Sequence, residues 1–415
     1  MRPLKIALLS RWYWEENQRH GPAGGMVRQV AEAVAADGHE VVVLSQSPET
    51  VPLKKMEIGK LETWLSPRDK KRDFVTGLRD KWAKQTYGHR KVYTDALALG
   101  DFLSRRGPFD VLWAQSEEAD GLVAGIAAQL GIPLPPTLTQ IQSLRYQFRE
   151  GALVFTGKPA LSLAFRHATR VIANSELVAN CLGEYANSRA AAAEFQAKVR
   201  VVYPNLVWEF LHAAEEISPA PAPVSAHKCV LFFGALNEKK GALVFLEAIA
   251  KTEAAQRGAT FAMIGDFTEK NPEFVQRWNR QLEIVRNQLP LTQLDLLGKI
   301  SSFEAIRQIK LASVVVVPSL FDEFSRTVAE ALVLGRPVIT TDRVGASRLV
   351  EAHNCGVIVP PHDAAALAGA INDALALGAP YAVNAQRIAH RLLHELSPEA
   401  IAHQIAHHLS EIAAT

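Results

Sequence analysis

At about 150 residues per domain, the 415-residue chain is long enough for two or three domains, and 48% hydrophobic against 21% charged residues rules out disordered, collagenous and mucin-like chains. Forty-five Lys and Arg balance 43 Asp and Glu to a net charge of +2, too even for wholesale nucleic-acid binding. Three scattered cysteines, Cys181, Cys229 and Cys355, fit neither a disulfide framework nor a zinc set, so a reducing cytosol is expected. The apolar run that ends at Ser10 is too short for a signal peptide, and no stretch approaches about 18 apolar residues.

Along the chain, short apolar runs ending in Gly, Ser or Thr alternate with longer amphipathic segments, the pattern of a parallel α/β sheet with crossover helices. Ile6–Ser10, Val41–Ser45, Val111–Ala114, Thr137–Ile141, Val171–Asn174 and Val199–Tyr203 read as strands of a first half. Val230–Gly234, Phe261–Gly265, Leu294–Leu297, Val314–Pro318, Val338–Thr341 and Val357–Val359 read as strands of a second. Between the halves, the Pro/Ala-rich stretch from Ile217 to Ala226 can hold neither helix nor ladder. The expected organisation is therefore a domain over 1–216, a linker at 217–227, a second domain over 228–384 and a helical segment over 385–415. The last of these is broken near Pro398 and could dock on either half. The fold class is α/β, with two doubly wound sheets facing one another across a crevice where strand C-termini bind ligands.

The loop after the first strand carries Gly21, Gly24 and Gly25 ahead of a helix expected from about Met26. Glycines there let backbone amides approach a phosphate or a sugar; the plain alternative is a turn that needs a positive φ. A nicotinamide fold would want GxGxxG and an acid ending the second strand, but that strand ends in Ser45 and Gln46, which disfavours an oxidoreductase. In the second half, Gly234 ends a strand and Lys239, Lys240 and Gly241 precede a helix, where a lysine can neutralise a diphosphate or belong to a solvated loop. After the strand ending at Pro318 come Asp322 and a helix starting near Arg326 or Thr327, with the amides of Ser325, Arg326, Thr327 and Val328 suited to phosphate and Glu330 to a ribose diol. Against this stands a capping box, Thr327-x-x-Glu330, which needs no ligand.

Two further features invite readings. His390/His394 and His403/His407 have the spacing of a helical metal pair, but no neighbouring ligand completes either set, so no metal is assigned. Residues 54–91 hold twelve basic residues against five acids, with Trp64, Phe74 and Trp82 among them. They read as solvated helices or as a peripheral membrane contact, which would place the protein at the inner face of a membrane.

These motifs together resemble the retaining glycosyltransferases of the GT-B fold, family 4, over almost the whole chain. The resemblance rests on Gly234-x-Leu236 with Lys240-Gly241, Ile264-Gly265, Leu297-Gly298, Pro318-Ser319, the acid pair Asp322 and Glu330, and Gly335-x-Pro337. In the first half it rests on Gly24-Gly25, Gly38-His39, Ala173-Asn-Ser175 and Val202-Tyr-Pro-Asn205. It implies metal-independent transfer of a sugar, with retention of configuration, from a nucleoside diphosphate sugar to a carbohydrate, lipid-linked or small-molecule acceptor. No separate cofactor and no nucleic acid are implied.

By the resemblance Lys240 contacts the donor diphosphate, Glu330 the ribose, Asp322 the sugar, and the backbone at Lys299 and Ile300 the base. Gly24 and Gly25 lie at the phosphate and acceptor side, and Gln142 at the acceptor. Ala235 stands where the family usually has an arginine, Gln142 where it commonly has a histidine, and Arg348 in place of a loop glutamate. These departures keep open a second reading, a non-catalytic nucleotide-sugar-binding subunit.

Overall fold

The structure, a computed structural model, describes residues 2–10, 13, 23–46, 54–58, 60–66, 74–87, 91–116, 120–149, 152–186, 188–215, 228–290, 293–376 and 378–415. Its contacts divide the chain into two units, Met1–Asn205 with Pro398–Thr415, and Leu206–Ser397. This division falls before the expected linker, and residues 217–227 lie outside the described residues.

Unit 1 contains β1 (Lys5–Leu9), β2 (Glu40–Gln46), β3 (Lys54–Ile58), β4 (Leu61–Ser66), β5 (Val111–Ala114), β6 (Thr137–Gln140), β7 (Tyr146–Arg149), β8 (Ala152–Phe155), β9 (Arg170–Ala173) and β10 (Val199–Val201). Eight of them form one sheet in the order β10-β9-β6-β5-β1-β2-β4-β3, parallel except for the β3–β4 pair, while β7 and β8 form a separate hairpin. The central strands are apolar without alternation because helices cover both faces; β5, Val-Leu-Trp-Ala, is buried at every position.

Unit 2 contains β11 (Cys229–Phe233), β12 (Thr260–Ile264), β13 (Leu294–Gly298), β14 (Val314–Val317), β15 (Val338–Thr341) and β16 (Gly356–Val359). They pair in parallel in the order β13-β12-β11-β14-β15-β16. The order reverses between β11 and β14, which makes their C-terminal ends the topological switch point of this sheet. Both sheets are therefore doubly wound and Rossmann-like.

All twelve expected strands are present, but the first half holds more. The basic segment is not simply helical: β3 and β4 form an antiparallel hairpin at the sheet edge, and a helix, Phe74–Tyr87, follows. The signal was in Leu61-Glu-Thr-Trp-Leu, whose first, third and fifth residues are buried while Glu62 and Trp64 are not, a period of two. Lys70, Lys71 and Arg72 lie outside the described residues. The segment expected over 385–415 is two helices with different allegiances. Gly378–Glu395 packs on the helix Arg326–Val333 of unit 2. Pro398 occupies the first position of Pro398–Ala413, where its missing N–H costs nothing. That helix buries Ile401, Ile405 and Leu409 with Val27, Val30 and Val34 of the helix Ala23–Ala36 in unit 1. The paired histidines are accordingly split between two helices, and His403 and His407 lie near Asp37 and Glu411. Among the described residues no three His, Cys, Asp or Glu gather to hold an ion, and no single helix is long and apolar enough to cross a membrane.

Glycine is required where β11 and β12 end. Gly265 has a φ of +144°, and a Cβ on it would stand 1.9 Å from the carbonyl oxygen of Gly234. Gly265→Ala should therefore destabilise the protein by about 3 kcal/mol or more, read from urea unfolding; a loss below about 1 kcal/mol would show that this approach relaxes freely.

Candidate active site

The residues expected at the donor converge on the switch point of unit 2. The turn after β11 runs Ala235-Leu-Asn-Glu-Lys-Lys240-Gly241, and Asn237 fixes it by accepting a hydrogen bond from the Lys240 amide through Oδ1 at 2.9 Å. Gly241 follows at φ +69°, with room for no side chain: a Cβ would lie 2.0 Å from the Pro318 carbonyl oxygen. The two loops are tied as the Leu320 amide donates to the Lys239 carbonyl at 2.9 Å. In consequence Lys240 Nζ donates to Asp322 Oδ2 at 2.5 Å, with Lys239 and Glu323 3.9 Å apart beside them. Spacing alone did not reveal the Lys240–Asp322 pair, since its members are 82 positions apart.

Asp322 is held from the other side by the loop after β15. Its amide donates to the Arg343 carbonyl and its carbonyl accepts from the Gly345 amide, both at 2.9 Å. Ser325 then adopts φ +66°, unusual for a residue with a side chain, and the helix Arg326–Val333 begins with no side-chain cap from it. The first-turn amides of a helix have no acceptor in the preceding turn, and Ser325 Oγ does not supply one; of those expected at the phosphate, the Val328 amide instead donates to the Ser325 carbonyl at 3.2 Å. Arg326 is the first helical residue and Thr327 the second, which leaves Glu330 too deep for the capping box; that alternative does not form.

Glu330 is 8% exposed, and its carboxylate has no hydrogen-bond partner among the described residues. Burial pushes its pKa up, opposed by the Arg326 guanidinium one turn earlier. A nearly buried acceptor without a partner is expensive inside a protein, so this group is suited to an external donor of hydrogen bonds. Lys299, exposed, and Ile300, half-buried, follow β13 at the same end of the sheet. Gly234 ends β11, its amide bonded to the Ile264 carbonyl at 3.0 Å.

The other expected residues belong to unit 1. Gly24 and Gly25 lie inside the helix Ala23–Ala36, which starts earlier than expected from Met26. Gly25 is helical, so the positive-φ turn is excluded for it, and a Cβ there meets nothing within 4 Å. Neither the backbone nor the packing of this chain asks for glycine at that position. Gln142, just beyond β6, donates through Nε2 to Gln115 Oε1 at 3.3 Å, and Asn174 Nδ2 donates to the Gln142 carbonyl at 3.3 Å. Gln115, just beyond β5, was not foreseen as part of this cluster. Arg348 is paired with Glu351 at 2.6 Å on the exposed face of the helix Ser347–His353.

Comparison with known proteins identifies the family and the fold. The family described as "Glycosyl transferases group 1" matches residues 227–376, and "Glycosyl transferase 4-like domain" matches residues 23–198. The chain belongs to the group 1 glycosyl transferases. It is similar to a glycogen synthase of Mycobacterium tuberculosis, 24% identical over 374 residues covering 86% of this chain and 82% of that one. Its fold matches an α,α-trehalose-phosphate synthase (UDP-forming) of Burkholderia vietnamiensis over 100% of both chains, with a TM-score of 0.71 and 15% identity. It also matches Anabaena HepE, solved in complex with UDP-glucose, over 98% of this chain and 100% of that one, with a TM-score of 0.65 and 18% identity. This glycosyltransferase therefore has the GT-B fold.

Two outcomes follow from the site. The folded protein holds the Glu330 proton more tightly than the unfolded chain does, so the stability this group contributes is complete below the ordinary carboxylate range and is lost as pH rises through the raised value. Glu330→Gln should flatten that decline in melting temperature and weaken nucleoside diphosphate binding by about 1.5–3 kcal/mol; calorimetric titration with unaltered affinity would remove Glu330 from the ribose. Gly25→Ala should leave stability equal or raise it by up to about 1 kcal/mol, as alanine is the better helix former, while transfer falls. Full activity in that variant would mean that no ligand approaches this backbone.

Proposed function

We propose that this glycosyltransferase moves a sugar from a nucleoside diphosphate sugar to an acceptor, with retention of anomeric configuration and without a divalent metal. The observation that carries the proposal is the meeting of Lys240, Asp322 and the start of the helix Arg326–Val333 at one switch point in unit 2. The similarity to a UDP-forming synthase and to a protein solved with UDP-glucose supports the donor class and makes UDP-glucose the first donor to assay.

Breaking the glycosidic bond to the diphosphate leaves negative charge on its oxygens, and catalysis requires positive groups already aimed there. Lys240 is such a group: its backbone is fixed by Asn237 and its ammonium by Asp322, so little reorganisation is needed when a diphosphate arrives. The positive end of the helix and Arg326 at its first position add to this field. These groups supply, without a metal ion, the charge that the leaving group needs. When the lysine turns to phosphate, Asp322 becomes available to sugar hydroxyls, while Glu330 accepts from the ribose and the backbone at Lys299 and Ile300 meets the base. Gly24, Gly25 and Gln142 are assigned to the phosphate and acceptor side. No protein nucleophile is assigned.

Lys240→Ala should lower kcat at least about a hundredfold, the scale for removing one preorganised charge-stabilising group, while free nucleoside binding changes little. Lys239→Ala is the control, and transfer should persist in EDTA. The anomeric configuration of the product, read by NMR, tests retention. Donor binding without hydrolysis or transfer to any acceptor would favour the non-catalytic subunit instead.

A further inference from the structure

We propose that the outward face of the helix Phe74–Tyr87 docks this protein on an anionic lipid surface. The helix is anchored inward by Ala83, fully buried, and by Asp80, 4% exposed, whose Oδ1 accepts from the Tyr93 amide at 2.9 Å and whose Oδ2 accepts from Thr94 Oγ1 at 2.6 Å. Its opposite face carries Leu78 and Trp82, one turn apart and 50% and 49% exposed. Arg79, Lys81 and Lys84 surround them, all exposed.

Exposed apolar side chains taken singly mean little, but these two stand together among three cations. On several other helices an exposed cation pairs with an acid three or four residues away, as in Arg105–Asp101, Arg257–Glu253, Arg307–Glu304 and Arg348–Glu351. On Phe74–Tyr87 the sole acid, Asp80, is turned inward, and Lys81 and Lys84 have no acid partner among the described residues. The nearby acid of β4, Glu62, is committed to Arg106 at 2.6 Å and to the Trp64 indole at 2.8 Å. Arg79 lies over the Tyr93 ring, 5.9 Å from its centroid. The result is a cationic face without an acid partner for its lysines among the described residues, with a tryptophan and a leucine at its centre. Anionic headgroups complement the lysines, while the indole and leucine enter the interfacial layer that such side chains prefer. A soluble polyanion would match the charge but give Leu78 and Trp82 nothing to enter.

The test is co-sedimentation of the full chain with phosphatidylcholine vesicles, with and without phosphatidylglycerol. Binding is expected only to the anionic vesicles and should fall with salt. Lys81→Gln with Lys84→Gln should reduce the partition about 25-fold, roughly fivefold for each charge near the surface. Leu78→Ser with Trp82→Ser should weaken it while keeping its salt dependence. Lys81 and Lys84 face solvent, so their double variant should match the parent in melting temperature, whereas Trp82→Ser also removes an edge-on contact with the Tyr87 ring at 5.6 Å; both double variants should keep parental UDP binding. Equal binding to neutral and anionic vesicles, or parental binding by both variants, overturns the proposal. So does retention on heparin through the same lysines with no vesicle binding, or a dimer in solution that the Leu78/Trp82 variant abolishes.

Discussion

Between β11 and β14 the backbones come so close that a methyl group on residue 241 would stand 2.0 Å from the carbonyl oxygen of Pro318. Much of the candidate site depends on this approach. It lets the Leu320 amide reach the Lys239 carbonyl, which brings the turn holding Lys240 against the loop holding Asp322. A larger residue at 241 would part the loops, and the lysine would lose its partner. The sheet supplies the setting, because only at its switch point do two neighbouring strands send their following segments to opposite faces and leave room between them.

The electrostatics follow from that packing. Lys240 and Asp322 are partly buried, with side-chain exposures of 30% and 11%, so their attraction is less screened than that of a surface pair. A diphosphate arriving there exchanges one anionic partner of the lysine for another, a smaller reorganisation than ordering a free side chain from water. Glu330 is the reverse case. Its carboxyl is buried with no hydrogen bond from the described residues, and only the charge of Arg326 opposes the upward push on its pKa. Together with Ser325 at positive φ, these are locally unfavourable features gathered around one helix start, as expected of residues shaped for a ligand rather than for stability.

Legibility in the sequence varied with the range of the interaction that decides each element. Central strands were legible because burial on both faces demands continuous apolar runs such as Val314-Val-Val-Val317. The edge hairpin β3–β4 was not foreseen, since its alternation is short and lies among many charges that suggested helices. The hairpin β7–β8 was missed as well; its register, Tyr146 opposite Phe155, follows from pairing within a loop and not from a core periodicity. The cluster of Gly21, Gly24 and Gly25 after a strand reads as a loop ending before Met26, whereas Gly25 lies in the first turn of a helix.

The sequence by itself determined the α/β class, the twelve principal strands and the positions of Lys240, Asp322 and Glu330 after them, because hydrophobic period and glycine placement are local properties written in adjacent residues. It also contained Asn237, whose side chain reaches only three residues ahead. Tertiary structure alone decided that Lys240 pairs with Asp322, that Glu330 is buried without a cap to serve, and that the C-terminal residues divide at Pro398 between two units. Each of these depends on which surfaces meet after the sheets have formed, and contacts between residues far apart in sequence leave no periodic mark along the chain.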